Sequence, residues 1–180
     1  MERLLDTGKV KAIGVSNFNE RRLKELLAAA AVVPAVNQIE AHPYIQQSAL
    51  TEFCRSKDIL IEAYSPLGNN QTGEPRTVDD AAVHEVAKTL GIDAGQVLAS
   101  WGVQRGTVVL PKSVTEKRII SNREVKELPK DAFEKLNGLE RHKRFNDPSS
   151  RWGYDIFDEV KNVEEKAKET GPANLDKFKI

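Results

Sequence analysis

The chain has little cysteine: Cys54 is the only one, and it cannot form an internal disulfide. It also lacks long apolar runs, and none approaches the roughly 20 residues that span a bilayer. The first nine residues contain no apolar stretch, so we predict neither a signal peptide nor a membrane segment. Together these absences predict a cytoplasmic protein in a reducing compartment.

An excess of charge of either sign is missing too, since Lys and Arg total 27 residues and Asp and Glu also total 27. This balance argues against nucleic acid or a membrane surface as a partner. The sequence contains no metal-ligand spacing, no G-x-G-x-x-G string and no P-loop string. What is present is a chain of 180 residues, 39% of them hydrophobic, which is enough for one domain with a packed core.

Four short β-branched runs predict strands buried on both faces, because they are mostly apolar and do not alternate cleanly. They cover residues 10–15, 35–39, 59–63 and 107–110. Helical periodicity covers residues 20–31, 48–57, 79–90, 94–105, 115–122 and 131–139. The resulting order, β-α-β-α-β-α-α-β-α-α, predicts βα units and a parallel sheet. We place the domain at residues 1–157 and a charged C-terminal tail at 158–180, helical over 158–170 and disordered at its end.

Each predicted strand ends in a polar string, and sites in parallel βα folds form at these ends. The strings are GVSNF from Gly14, NQIE from Asn37, AYSPLG from Ala63 and LPKSVT from Leu110. In this order they resemble the aldo-keto reductase family, over residues 8–157. Residues 141–146 and the pair at 152–153 resemble the C-terminal loop of its fungal-type members, NADPH-dependent aldehyde and polyol reductases. The resemblance implies an α/β fold: half of a (βα)8 TIM-type barrel, its last four parallel strands with their helices.

The same resemblance implies a site for NADP(H) along this rim. Ser16, Asn17 and Gln38 match the ligands of the nicotinamide carboxamide, and such side chains supply the donors and acceptors that an amide needs. Tyr64 matches the aromatic residue that stacks on the nicotinamide ring and fixes the face presented for hydride transfer. The pyrophosphate-binding stretch is matched by Ser65, Leu67 and Asn69, where Asn69 replaces a frequent serine.

The adenosine end of the cofactor is matched by Lys112, Ser113, Arg118 and Asn122. A lysine and an arginine together suit a 2′-phosphate, and they favour NADP over NAD. Ser121 stands where the family commonly has an acidic residue near the adenine, so the resemblance does not carry that contact over.

Plainer interpretations stay open beside these. Tyr64 could be a packing residue at the barrel mouth, and Lys112 and Arg118 could be solvated surface charges. His42, which precedes Pro43, is interpreted as part of a turn rather than as a catalytic residue. Cys54 is interpreted as a small core residue on a helix.

The family's chemistry is hydride transfer to a carbonyl, with a tyrosine as proton donor assisted by a lysine, an aspartate and a histidine. All four belong to the family's first four strands and the loops after them, so we expect none of them in this chain. Without the acid, carbonyl reduction loses a stabilisation on the order of several kcal/mol. The resemblance thus predicts a chain that carries the cofactor-binding half and no catalytic residue.

Three functions stay open. One is an NADPH-dependent aldo-keto reductase for a small aldehyde, ketone or polyol, whose other half is lost or supplied as a separate polypeptide. The second is a non-catalytic NADP(H)-binding module. The third is a half-barrel that pairs with a second copy, or an inactive remnant. Pairing is motivated by the two unpaired edges of an open barrel and its exposed interior. Depending on strand register, that interior would include Val15, Val36, Ile61 and Val109.

Overall fold

The computed structural model describes residues 1–69, 73–149 and 155–157. In this part of the chain four strands form one parallel sheet in the order β1-β2-β3-β4. The strands are β1 Val15–Ser16, β2 Val36–Glu40, β3 Leu60–Tyr64 and β4 Val108–Val109. The helices are α1 Glu20–Ala29, α2 Ser48–Arg55, α3 Ala81–Leu90, α4 Ala94–Gln104, α5 Glu116–Arg123 and α6 Lys130–Asn137. Two 3-10 helices, Glu2–Thr7 and Thr77–Asp79, complete the order. The predicted half of a (βα)8 barrel is thereby confirmed.

Local capping signals explain where the helices begin and end. The side chain of Asn19 accepts a hydrogen bond from the backbone N–H of Arg22 at the start of α1, which is the contact of an N-cap residue. Gly91 ends α3 with φ 64°, a left-handed conformation that costs glycine little. These signals act over a few residues, and they were therefore readable from the sequence.

Two hydrophobic clusters hold the domain together. One lies between the sheet and helices α1 and α2, and it includes Leu23, Ile39, Cys54 and Ile61. The other joins α3, α4 and α6 around Trp101, whose indole N–H donates to Asn137 Oδ1 at 2.9 Å. The burial of Cys54 in the first cluster agrees with its interpretation as a core residue.

The strand register decides which face of the sheet is covered by helices. Ile61 is 3% exposed and, with Val15 and Val109, packs in the cluster beneath the sheet. For Ile61 the expected exposure is therefore wrong, because alternation along β3 turns its side chain toward the helices. The opposite face, which we call the open face, carries three exposed apolar residues of 41–55%: Leu60, Val108 and Leu110.

The first strand is shorter than predicted. The sequence indicates residues 10–15, whereas the structure has only Val15–Ser16. Just before β1, the chain approaches β2 so closely that a Cβ on Gly14 would lie 2.5 Å from Val36 Cγ2. In the described residues β1 has one neighbouring strand, so its ladder is short.

Residues 140–149 pass over the C-terminal ends of β2 and β3, and we call them the C-terminal strap. The pair at 152–153, which resembles the fungal-type C-terminal loop, and the predicted tail at 158–180 lie outside the described residues. Within the described residues, none of the helices has the length and apolarity needed to cross a membrane.

Candidate cofactor-binding site

The residues predicted for the nicotinamide end come together from three strands. Ser16 lies opposite Gln38 in the ladder between β1 and β2, and its hydroxyl donates to the Gln38 backbone oxygen at 3.0 Å. The Asn17 backbone N–H donates to the same oxygen at 2.9 Å. The Tyr64 hydroxyl donates to Asn17 Oδ1 at 3.1 Å. Parallel pairing thus gathers all four residues at one end of the sheet.

Two features shape this cluster. Asn17 has φ 59°, a left-handed conformation that asparagine tolerates better than most residues, and this turns the chain sharply after β1. The Gln38 side chain donates to Glu62 on the neighbouring strand at 2.5 Å. Glu62 was not predicted as part of the site, although it lies two residues before Tyr64 on the same strand. Amide and carboxylate groups therefore stand side by side on the open face.

Tyr64 stays an uncharged phenol near neutral pH. Burial raises its pKa to about 12, and the negative charge of Glu40 adds to the shift, which Arg144 partly offsets. The Tyr64 ring is held at two points, by its backbone at the end of β3 and by the hydrogen bond from its hydroxyl to Asn17. A neutral, fixed aromatic ring suits stacking against a planar ligand better than proton transfer.

The stretch predicted for the pyrophosphate is a tight turn after β3. Ser65 and Gly68 have positive φ values of 47° and 72°, and the Gly68 N–H donates to the Ser65 oxygen at 2.9 Å. A Cβ on Gly68 would lie 2.6 Å from the Thr77 nitrogen, so only glycine fits. Asn69 follows at the end of this turn, and its side chain donates to Asn146 Oδ1 in the C-terminal strap.

The residues predicted for the adenosine end lie at or near an open groove of about 400 Å³ beside α5. It is lined by Pro111, Lys112, Ser113, Ile119, Asn122 and Arg123. Arg118 is exposed one turn before Asn122 but does not line the groove, whereas Arg123, which was not predicted, does. The sequence signal available for Arg123 was its position next to Asn122.

Gly95, on the first turn of α4, connects the groove to the turn after β3. A Cβ there would lie 3.1 Å from Asn122 Oδ1 and 3.9 Å from Leu67 Cδ1. Because Gly95 has no side chain, Leu67 and Asn122 approach the same point. Leu67, predicted for the pyrophosphate, and Asn122, predicted for the adenosine end, therefore both lie near Gly95.

Glu40 is an anchor that the sequence analysis did not assign. It is fully buried, and its carboxylate accepts the backbone N–H groups of Phe145 at 2.8 Å and Asn146 at 2.9 Å. His42 Nε2 lies 3.0 Å from Glu40 Oε1, and the Thr77 hydroxyl lies 3.3 Å from His42 Nδ1. Burial raises the pKa of Glu40, but the hydrogen bonds from His42 and the two N–H groups outweigh it, so the pKa lies below its ordinary value.

This network has two consequences for interpreting the sequence. The complete burial of His42 beside Glu40 agrees with its structural interpretation. The only available signal for Glu40 was a carboxylate at the end of an apolar strand, which a buried pairing would require. Asn146 lies more than a hundred residues from Glu40 along the chain, so no local pattern could reveal their contact.

The model of the aldo/keto reductase family matches residues 1–141. The chain belongs to this family. Among its relatives, glycerol 2-dehydrogenase (NADP(+)) of Hypocrea jecorina is 46% identical over 165 residues, which is 88% of this chain and 52% of the relative. Aldehyde reductase YPR1 of Saccharomyces cerevisiae is 42% identical over 161 residues, covering 87% and 51% respectively.

A solved structure shows the same likeness. The crystal structure of an aldo-keto reductase enzyme from a Medee basin deep-sea metagenome library superposes with a TM-score of 0.75 at 34% identity. The match covers 81% of this chain and 53% of that chain. The chain thus spans about half the length of the aldo-keto reductases it matches.

Proposed function

We propose that the rim described above binds NADP(H), and that the chain is the cofactor-binding half of an oxidoreductase for small aldehydes, ketones or polyols. The observation that carries this proposal is the convergence of Ser16, Asn17, Gln38 and Tyr64 at the ends of three strands. The names of two relatives, an NADP(+) glycerol dehydrogenase and an aldehyde reductase, support it.

The residues present fit such a cofactor. Ser16, Asn17 and Gln38 offer amide and hydroxyl groups for a carboxamide, and the neutral ring of Tyr64 offers a stacking surface. Ser65, Leu67 and Asn69 border the path of a pyrophosphate. Leu67 and Asn122 both lie near Gly95, which has no side chain to separate them. When bound, a nicotinamide cofactor supplies or accepts the hydride.

The choice of NADP over NAD rests on charge. Lys112 and Arg123 line the groove and Arg118 is exposed on the same helix, so three cations stand near its edge. Guanidinium groups bind phosphate in a bidentate fashion, and Ser113 and Asn122 add neutral polar partners. A 2′-phosphate at this place would meet positive charge, whereas a ribose hydroxyl would gain little from it.

We further propose that the proton donor is supplied from outside these described residues. The Tyr64 hydroxyl is engaged by Asn17, and Tyr44 donates to Asp80 at 2.6 Å. Each has a pKa of about 12, chiefly because burial raises it. Acids of this strength are poorly matched to proton transfer near neutral pH. The 180-residue chain alone is then expected to bind cofactor without turnover.

The missing part would be a complementing segment that carries the remaining strands of a barrel. Supporting this, β1 and β4 each pair on one side only within the described sheet, and Leu60, Val108 and Leu110 are exposed on the open face. An open face with exposed apolar side chains, beside unpaired edges, is where further strands would add. Light scattering tests the alternative, because a dimeric mass would favour a second copy of this chain instead.

Cofactor titration tests the central proposal. NADPH should quench protein fluorescence saturably and bind at least tenfold more tightly than NADH. Tyr64→Ala should weaken NADPH binding by about tenfold or more through lost stacking, while Tyr64→Phe keeps most of it. Lys112→Ala and Arg118→Ala should each weaken NADPH by about tenfold and leave NADH unchanged, since a charge-assisted hydrogen bond contributes about 1.5–3 kcal/mol.

The control is Lys88→Ala, which removes an exposed lysine from α3, away from the groove. It should bind NADPH as the unaltered chain does. Absence of saturable NADPH binding by a folded chain would refute the proposed function, and equal affinity for NADPH and NADH would refute its 2′-phosphate component.

A further inference from the structure

The side chain of Asn146 connects the C-terminal strap to the turn after β3. Its Nδ2 group donates to Ser65 Oγ at 3.2 Å, and its Oδ1 accepts a hydrogen bond from Asn69. Ser65 and Asn69 are the two polar residues proposed for the pyrophosphate. One amide therefore holds both of them, and it belongs to a segment far away in sequence.

The direction of these hydrogen bonds determines what Ser65 can offer a ligand. A serine hydroxyl has one proton to donate and two lone pairs that accept. Asn146 donates to Ser65, so it occupies a lone pair and leaves the hydroxyl proton to point elsewhere. The proton is then available for an acceptor-only group such as a phosphate oxygen.

Asn146 is itself held in place from beneath. Its backbone N–H and that of Phe145 donate to the two carboxylate oxygens of Glu40, which is fully buried. The Phe145 ring lies 5.2 Å from the ring of His42 and would lie 3.0 Å from a Cβ on Gly68. The C-terminal strap, β2 and the turn after β3 are thus packed together. The side-chain amide of Asn146 is therefore held in position before any ligand binds.

We propose that Asn146 is a positioning residue for a bound pyrophosphate, acting through Ser65, which makes the C-terminal strap part of the cofactor site. The inference rests on the proposed NADP(H) function and deepens it. In physical terms, Asn146 donates to the Ser65 hydroxyl and leaves its proton free to be donated to a ligand. If residue 146 presented an acceptor instead, it would take that proton, and Ser65 could no longer donate it to a phosphate.

The test compares Asn146→Asp with Asn146→Ala in the full chain. In Asn146→Asp a carboxylate accepts the Ser65 proton and places negative charge beside the phosphates, so the Kd for NADPH should rise by about 10–100-fold. Asn146→Ala only removes the orienting group, and about 3–10-fold is expected. Adenosine 2′-monophosphate, which lacks the pyrophosphate, should bind both variants within twofold of the unaltered chain.

A double-mutant cycle separates positioning from mere structural support. If Asn146 acts through Ser65, Asn146→Ala should cost twofold or less in a Ser65→Ala background. His142→Asn is the matched control, because it alters an exposed residue of the same strap at a left-handed position that asparagine tolerates. It should leave NADPH binding unchanged.

Three results would overturn the inference. NADPH affinity within twofold in Asn146→Asp would show that the polarity at Ser65 is irrelevant. Equal losses for NADPH and adenosine 2′-monophosphate would show a general disruption. Additive losses in the cycle would show that Asn146 does not act through Ser65. If the unaltered chain binds neither ligand, the proposed function fails and this role with it; if it binds both and only Tyr64→Ala weakens NADPH, the positioning role alone fails.

Discussion

Replacing Glu40 by glutamine should lower the free energy of unfolding more than the same replacement at any other carboxylate of the site. The carboxylate accepts one backbone N–H on each oxygen, and His42 adds a third bond on Oε1. A glutamine can present its oxygen to only one of these sides. If the glutamine oxygen is turned toward His42 and Phe145, two of the three hydrogen bonds are kept. The glutamine NH2 group then faces the Asn146 N–H, and two donors meet with no acceptor between them.

The magnitude follows from this geometry. The variant loses one charge-assisted hydrogen bond, which contributes about 1.5–3 kcal/mol, and leaves a buried donor without an acceptor, which costs about 1–3 kcal/mol. Because these contributions overlap, we expect a loss of about 2–4 kcal/mol in the free energy of unfolding. For a domain of this size that corresponds to a fall of roughly 5–15 °C in Tm. Circular dichroism during heating and urea titration measure both quantities.

Glu62→Gln is the control for this prediction. Glu62 is half-buried on the next strand, and a glutamine there keeps an oxygen that can accept from Gln38. Its expected effect is below about 1 kcal/mol. Equal stability of Glu40→Gln and the unaltered chain, within about 0.5 kcal/mol, would show that the strap is not held by this carboxylate.

The pH dependence gives a second check on Glu40. Its pKa is lowered in the folded state, so its stabilisation is present above the unfolded-state value of about 4.3 and is lost as pH falls through the folded-state value. The stability difference between the unaltered chain and Glu40→Gln should be constant from pH 6 to 8 and should narrow below about pH 4. A difference that persists unchanged to pH 3 would contradict this assignment.

Three further predictions concern the rest of the site and core. Gly68→Ala should cost about 2 kcal/mol or more in unfolding free energy, whereas Gly91→Ala, also at positive φ but in open space, should cost only about 1 kcal/mol. The free energy of unfolding should fall as pH rises from 10 to 12, because folding raises the pKa of both Tyr44 and Tyr64 from 10.0 to about 12. Tyrosinate absorbance follows the ionisation of the two phenols, and titration of both near pH 10 in the folded chain would contradict the prediction. Cys54 should react with a thiol reagent only after urea unfolding, since burial raises its pKa and blocks access; rapid reaction of the folded chain would show that the core opens.

Much of the fold follows from short-range patterns. The apolar runs of β2 and β3 lie within one residue of where the sequence places them. Asn19 and Gly91 bound their helices, and both are residue types that favour helix caps. The first strand is the exception, since its length depends on pairing with β2 rather than on its own apolar residues. Exposure of Ile61 also depended on register, which no single strand reveals.

The site divides in the same way. The convergence of Ser16, Gln38 and Tyr64 could be predicted because each lies within or at the end of a strand, and parallel pairing brings neighbouring strands together whatever the loops contain. Glu40, Gly95 and Asn146 could not, because their contacts join segments distant in sequence.

The C-terminal strap shows why these two classes of residue depend on each other. Strand ends alone bring the polar groups of the rim close together, but they do not decide where each hydroxyl proton points. A serine hydroxyl can rotate toward whichever partner is present. The strap supplies the side-chain amide of Asn146, which donates to Ser65. Glu40 holds the strap by buried hydrogen bonds, and breaking them would leave polar groups unpaired away from water. A change at Glu40 should therefore weaken the binding of NADPH more than that of adenosine 2′-monophosphate, even though Glu40 lies beneath the rim. Stability of the anchor and affinity for the pyrophosphate would then change together, as expected where a buried pairing pre-orients a binding group.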